Sequence, residues 1–291
     1  MAWILFSLLS ALATACVGLV NQYTKLDGLL LTVWVKAFLF LLLLPSIFWL
    51  NLPEDHLFYI FVILSAVISL WCDKVFFDMS SKFGGGVVSR LTPLYVLPLF
   101  LIWLVIKPNL LFDYFSNFYV GIGIILSLVG AIYFSSQMRH CVISYAALKA
   151  AIPMIFGYAV TSVLGKLAMD HSELHEGVYG YIVLESFFMC LIGFPVMIKK
   201  SGKGKFPIVT KPILKGAFYI SVAMSVSLIS QNYAYALMYD PTFPAAIMMT
   251  SPLFILLFYR LVGHKEDVNV WAGLGGVVAV TFLVLMQGLV D

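Results

Sequence analysis

Apolar runs dominate the chain, at roughly 2–22, 29–50, 57–78, 86–106, 117–136, 145–168, 178–198, 213–238, 243–262 and 269–289. Each is close to the ~20 residues with which a helix crosses the ~30 Å hydrocarbon core of a bilayer. The polar breaks between them are short; the longest run from Lys199 to Lys211 and from Asp170 to Glu176. A membrane β-barrel would instead alternate in segments of ~10 residues, a pattern this chain lacks. The runs predict an all-α membrane protein with ten transmembrane helices and no soluble domain.

Composition agrees. The 291 residues are 62% hydrophobic and 11% charged, with a mean hydropathy of +1.02, whereas a soluble domain carries ~25% charged residues. Too few polar side chains are present to cover a water-facing surface. The net charge of +3 is too small to point to nucleic acid. Cys16, Cys72, Cys141 and Cys190 are widely spaced, which fits neither a disulfide framework nor a zinc site and reads as small packing residues. The first run has no basic residue ahead of it, so it reads as a membrane helix and not as a signal peptide.

Two stretches repeat. Asp73–Phe100 and Asn232–Tyr259 align without a gap, 159 positions apart, placing Met79 on Met238, Pro93 on Pro252, Leu94 on Leu253 and Asp73 on Asn232. Each copy is an apolar helix, a short polar turn and a second helix that carries a proline. The chain therefore divides into residues 1–139 and 140–291, five spans each, within one membrane domain. Five is odd, so the second half enters the membrane in the opposite sense, giving two inverted five-helix repeats. Lysine and arginine concentrate in the odd-numbered breaks, including Lys25, Lys82, Arg139, Lys199, Lys200, Lys203, Lys205 and Lys265, while the even-numbered breaks hold Lys107 and, at a helix end, Lys166. By the positive-inside rule the odd-numbered loops are cytoplasmic and both termini lie on the other side.

Ser251-Pro252-Leu253-Phe254 leads to Gly263-His264-Lys265-Glu266 and then to Trp271-Ala272-Gly273 and a glycine-rich last helix. These residues resemble the end of an EamA-type repeat of the drug/metabolite transporter superfamily. Asn232–Ala246 resembles the preceding helix pair, and Phe156-Gly157-Tyr158 to Lys166 resembles the first helix of a repeat. Pro45 and Pro195 close the second and seventh runs alike. The first half departs from the pattern: it lacks the glutamate turn and has Lys107-Pro108-Asn109 plus about seven extra residues before Gly121. The resemblance implies two inverted bundles around a central substrate cavity in a multi-pass bacterial inner membrane protein. It does not specify the cargo, since members carry amino acids, nucleotide-linked or phosphorylated metabolites, and drugs. It implies no cofactor; the expected partners are a small-molecule substrate, the lipid bilayer and, as a coupling ion, the proton.

Charges within apolar spans cost ~2.5–3.5 kcal/mol each on insertion scales, so they face protein or water. Lys36, Asp73, Lys74, Asp78, Arg90, Lys149 and Glu185 are of this kind. Glu185 has no charged partner at helical spacing, being flanked by Tyr181 and Met189. It is a candidate to bind a substrate ammonium or a proton, or else to pair with a lysine. Lys36, at matching depth, is a candidate for a carboxylate or phosphate, or for snorkelling to the rim. Asp73 and Asn232 form a matched polar pair, one per repeat. Lys74 and Asp78 share a helix face and read as an ion pair or a gate. Arg90 follows Gly84-Gly85-Gly86, which serves close packing or an anion. Tyr158 and Tyr235 are candidates to stack on cargo. Alternate His171, Glu173 and His175 fall in one polar break as a solvated loop or a metal site. No Walker loop, G-x-S-x-G, H-E-x-x-H or C-x-x-C occurs, so driving by ATP and enzyme chemistry find no motif. The expected function is secondary transport of a small polar or amphipathic metabolite by alternating access. Export of cationic drugs is the second reading, and a membrane-embedded enzyme the third.

Overall fold

A computed structural model describes residues 1–24, 27–83, 87–88, 91–137, 144–201, 208–261 and 270–288; for residues 21–24, 135–136, 201 and 270 it describes the backbone alone. Helices are the only regular structure among the described residues. In the first half they are α1 (Ala2–Thr24), α2 (Gly28–Leu43, continued by a 3-10 turn Leu44–Phe48), α3 (His56–Phe83), α4 (Val96–Ile106, entered through a 3-10 turn Thr92–Tyr95), α5 (Asn109–Ser116) and α6 (Phe118–Gln137). In the second half they are α7 (Tyr145–Asp170), α8 (Leu174–Ser201), α9 (Lys211–Leu237), α10 (Thr242–Met248), α11 (Ser251–Leu261) and α12 (Val270–Gln287). Among the described residues seven segments are long and apolar enough to cross a membrane, and Thr92–Ile106 with Asn109–Ser116, bent by 109° at the break between them, makes an eighth if the pair is taken as one span. The chain is thus an all-α protein whose long apolar helices fit integral, multi-pass insertion.

Polar residues set where the helices begin. Asp27 caps α2 by accepting the backbone N–H groups of Leu29 and Leu30 at 3.1 and 3.2 Å. Ser144 caps α7 through Ala147 N, and Thr210 caps α9 through Ile213 N. Each side-chain oxygen satisfies a donor that the first helical turn leaves without a partner. At Gly28 a side chain has no room, because a Cβ there would stand 2.5 Å from the Lys74 carbonyl oxygen. That close approach lets Gly28 N donate to Asp78 Oδ1 at 2.9 Å, which pins the start of α2 to the end of α3.

Two spans that the sequence presents as continuous are broken. Proline has no N–H, and its ring collides with the carbonyl four residues back. At Pro93 the chain tightens into the 3-10 turn Thr92–Tyr95, with Thr92 Oγ1 donating to Val88 O at 2.9 Å. At Pro252, the repeat-mate of Pro93, α10 stops at Met248 and α11 starts at Ser251, with Thr250 Oγ1 donating to Ile247 O at 2.8 Å.

The extra residues after Lys107 also fold. They form α5, which buries Leu110 and Tyr114 and leaves Leu111, Phe112 and Phe115 exposed. The Tyr114 ring stacks on Phe100 with centroids 6.3 Å apart, and its hydroxyl donates to the buried Asp240 at 2.6 Å. An eight-residue helix is marginal alone, so these tertiary contacts hold it.

In the packed bundle α1 lies against α9, α3 against α7, α2 against α8 and α6 against α12. Further contacts join α2 to α9, α3 to α8, α4 to α7, and α1 to both α10 and α11. On the face of the even-numbered breaks, His171 Nδ1 lies 2.7 Å from Asp55 Oδ2, and His175 Nδ1 lies 2.6 Å from the Tyr233 hydroxyl. The two histidines thus turn to different partners, and among the described residues no group of three ligands is arranged for a metal.

The Leu57 N–H, and after it His171, holds the Asp55 carboxyl below its ordinary value of 3.8. A lowered carboxyl stabilises the fold above that ordinary value, and the contribution is lost as pH falls through the lower, folded value. Asp55→Asn should therefore melt below wild type at pH 5–6, with the two curves converging in stronger acid. A gap undiminished in strong acid would show that the Asp55 charge plays no part.

Candidate functional site

A cavity of about 270 Å³ lies between the helices of the two halves. The two helix breaks contribute to its wall through Thr92 and Pro93 on one side and Met249 and Ser251 on the other. Phe76, Phe77, Met224 and Ile255 make other parts of the wall apolar. Polar groups gather at Lys36, Asp73 and Glu185, all three of which line the cavity.

These side chains come from three helices. Lys36 stands eight residues into α2, or ~12 Å along the axis at 1.5 Å per residue. Glu185 stands eleven residues into α8, or ~16 Å, and Asp73 lies in the second half of α3. All are deep in their spans and buried, at 2%, 4% and 7% exposure. Lys36 Nζ lies 3.4 Å from Asp73 Oδ2 and 3.6 Å from Glu185 Oε2. Both distances exceed the ~2.7–2.9 Å of a close charge-assisted hydrogen bond, so one ammonium is shared loosely between two carboxylates.

The other oxygens are held by hydroxyls. Glu185 Oε1 accepts from Ser65 Oγ at 3.1 Å and from Ser69 Oγ at 2.9 Å. The Tyr181 hydroxyl lies 2.6 Å from Ser65 Oγ. Asp73 Oδ1 accepts from the Tyr158 hydroxyl at 3.1 Å, while Asp73 Oδ2 is buried without a hydrogen bond. With both carboxylates ionised the cluster carries one negative charge more than it carries positive. A buried unmatched charge is costly, so the arrangement favours a proton or a cation beside it.

The candidate residues from the sequence divide as follows. Lys36, Asp73, Glu185, Tyr158, Asn232 and Tyr235 all line the cavity. Lys36 faces carboxylates of its own chain, the pairing with a lysine that the sequence left open for Glu185; that Asp73 shares the same ammonium has no signature in local spacing. Asn232 lies across from Asp73 in the repeat alignment, and its Nδ2 is buried without a partner. Tyr235 receives a hydrogen bond from Gln231 Nε2 at 3.1 Å. Lys74 and Asp78 form an ion pair of 3.0 Å with side chains 38% and 41% exposed, outside the cavity lining. Together with Asp78–Gly28 and the Lys200–Asp27 pair at 2.6 Å, it clasps α2, α3 and α8 on the odd-numbered side. Lys149 is exposed. Arg90, with Gly84–Gly86, Lys25, Arg139, Cys141 and Gly263–Glu266, lies outside the described residues.

Sequence reasoning missed Ser65 and Ser69, and named Tyr181 only as a neighbour of Glu185 along the helix. The signal was there: Ser65, Ser69 and Asp73 recur every four residues on α3, as do Tyr181 and Glu185 on α8, and four-residue spacing puts side chains on one face.

No protein-family model matches the chain, and no curated protein matches it. A solved structure described simply as "Crystal structure of protein" matches with a TM-score of 0.63 at 11% identity, over 98% of this chain and 95% of its own. At that identity the likeness carries the fold alone: a helical architecture shared along nearly the full length.

Proposed function

We propose that this protein is a secondary active transporter of the drug/metabolite, EamA-like type, moving a small polar or amphipathic metabolite by alternating access. The observation that carries the reading is the central cavity, walled by helix breaks from both halves and holding a deeply buried charged cluster. Broken helices and ionisable groups at membrane depth are costly unless they line a cavity, and they mark substrate and ion paths. The unmatched charge of the cluster gives a proton a place to sit, so a proton gradient is the natural drive.

Ten spans as two inverted repeats complete the proposal. To the eight segments already described, the apolar stretches Phe118–Phe134 of α6 and Trp271–Gln287 of α12 add two of 17 residues, at the short end of the ~17–25 range for spanning helices. The packing supports the symmetry. Exchanging α1 with α7, α2 with α8, α3 with α9, α4 with α10–α11 and α6 with α12 turns the contact α1–α9 into α7–α3. The same exchange turns α2–α9 into α8–α3 and α4–α7 into α10–α1. The repeated breaks at Pro93 and Pro252 fall on equivalent segments. The cavity volume, below the ~300–1,000 Å³ typical of drug-sized ligands, favours a metabolite over a bulky drug.

Sealed liposomes containing the purified protein test the reading. A labelled cargo should cross unaltered in the presence of the protein; chemical conversion without transfer would instead point to an enzyme. The proposed membrane is the bacterial inner membrane, with odd-numbered loops cytoplasmic. A cysteine at Ser201→Cys should then resist an impermeant thiol reagent in intact cells and react after permeabilisation. Reaction in intact cells would reverse the orientation.

A further inference from the structure

With both carboxylates ionised, the central cluster is one cation short among the described residues. Asp73 and Glu185 each bring a carboxylate, and Lys36 brings the ammonium that lies between them at 3.4 and 3.6 Å. The remaining neighbours of the carboxylates are neutral hydroxyls, from Ser65 and Ser69 on α3, Tyr158 on α7 and, through Ser65, Tyr181 on α8. Asp73 lines the cavity, and its Oδ2, buried without a hydrogen bond, has the shared Lys36 ammonium as its charged neighbour at 3.4 Å. A second positive charge placed there would give each carboxylate its own cation and bring the group to neutrality. An anion would meet two carboxylates around a single, already shared ammonium.

We infer that the cargo is a small organic monocation, an ammonium group on an apolar body, whose charge seats against Asp73 and Glu185 as the second cation of this cluster. The inference rests on the transporter reading and names its substrate class. The apolar body would lie on Phe76, Phe77 and Met224, which line the same cavity. Across the alignment from Asp73 stands Asn232, whose buried Nδ2 donor has no partner. The Asn232 N–H at that wall can donate to a neutral oxygen on the cargo and disfavours a second ammonium, so a diamine fits less well than a monoamine. Lys36 remains in place throughout: it settles on one carboxylate while the cargo takes the other.

Four probes that share one body separate the possibilities: 2-phenylethylamine, 2-phenylethanol, 3-phenylpropionate and an aromatic diamine of similar length. Each is titrated against the detergent-purified wild-type protein in a thermal-shift assay, where a ligand of the folded state raises apparent stability in proportion to its affinity. The monoamine should stabilise at a concentration at least tenfold below the alcohol and the diamine, and the carboxylate should have no effect. Equal stabilisation by alcohol and amine, or a preference for the carboxylate, would overturn the inference. Asp73→Asn leaves Lys36 and Glu185 as a closed neutral pair, so the amine preference should vanish in that variant, and its retention would also count against the site. The wild-type series decides the matter should the variant not fold. Liposome flux separates this inference from the reading beneath it. An amine that binds with the stated preference yet does not cross supports the cation site and removes the transport reading. A carboxylate that crosses keeps transport and removes the cation site.

Discussion

Replacing Lys36 with methionine should destabilise the fold more than any other single change in the central cluster, by about 3–5 kcal/mol, the usual cost of removing one partner from a buried ion pair. The size follows from what is left behind. Without the ammonium, Asp73 and Glu185 face a common space as two buried carboxylates with only hydroxyls for company. Asp73→Asn or Glu185→Gln leaves one carboxylate opposite Lys36, a matched pair. Each of those should cost less, about 1–3 kcal/mol for disturbed hydrogen bonds. A triple variant carrying all three substitutions should melt above Lys36→Met alone, because a wholly neutral buried cluster has no unmatched charge to desolvate. The check is apparent melting temperature in one detergent at one pH. If Lys36→Met melts no lower than Glu185→Gln, the three groups are not electrostatically joined as the distances indicate.

That cluster also marks the boundary of what the sequence discloses. Long apolar runs are a local property, and α1, α3, α7, α8 and α9 follow the runs read from the chain because twenty apolar residues in lipid have to close their own hydrogen bonds. The proline breaks were visible as prolines, but their form was not: at Pro93 the helix tightens, while at Pro252 it stops and restarts. In both, a threonine hydroxyl, from Thr92 or Thr250, bonds a nearby carbonyl, so that contact accompanies either form without selecting it. The helix α5 escaped notice because its eight residues are too short to register as a span, and what holds it, Tyr114 against Asp240, joins positions far apart in the chain. Lys36, Asp73 and Glu185 were each legible as charges where charges are costly. Pairing of Glu185 with a lysine was an open reading, but that Asp73 shares the same ammonium was not legible, since spacing along one helix says nothing of a neighbour on another. The alignment of Pro45 with Pro195 came close, placing Lys36 opposite Ser186, one residue from Glu185.

The last expected result concerns Glu185→Gln and the drive for transport. Wild-type protein has one negative charge in excess among Lys36, Asp73 and Glu185, and a proton can occupy that excess whenever cargo is absent. Glutamine at position 185 keeps the size of the side chain and removes the charge. Lys36 and Asp73 then balance, and nothing in the cluster calls for a proton. Accumulation of cargo against its gradient under an imposed pH difference should fall to the level of protein-free liposomes. Exchange of labelled for unlabelled cargo needs no net proton movement and should persist at saturating concentration, with a weakened apparent affinity. The two assays together distinguish a coupling group from a structural one. A structural role predicts that both rates fall in step with loss of folded protein, which a melting curve on the same preparation would reveal. A Glu185→Gln protein that still accumulated cargo at the wild-type level under a pH gradient would move the coupling site elsewhere. The next carboxylate to examine would be Asp73, since it lines the same cavity and its Oδ2 is buried without a hydrogen bond.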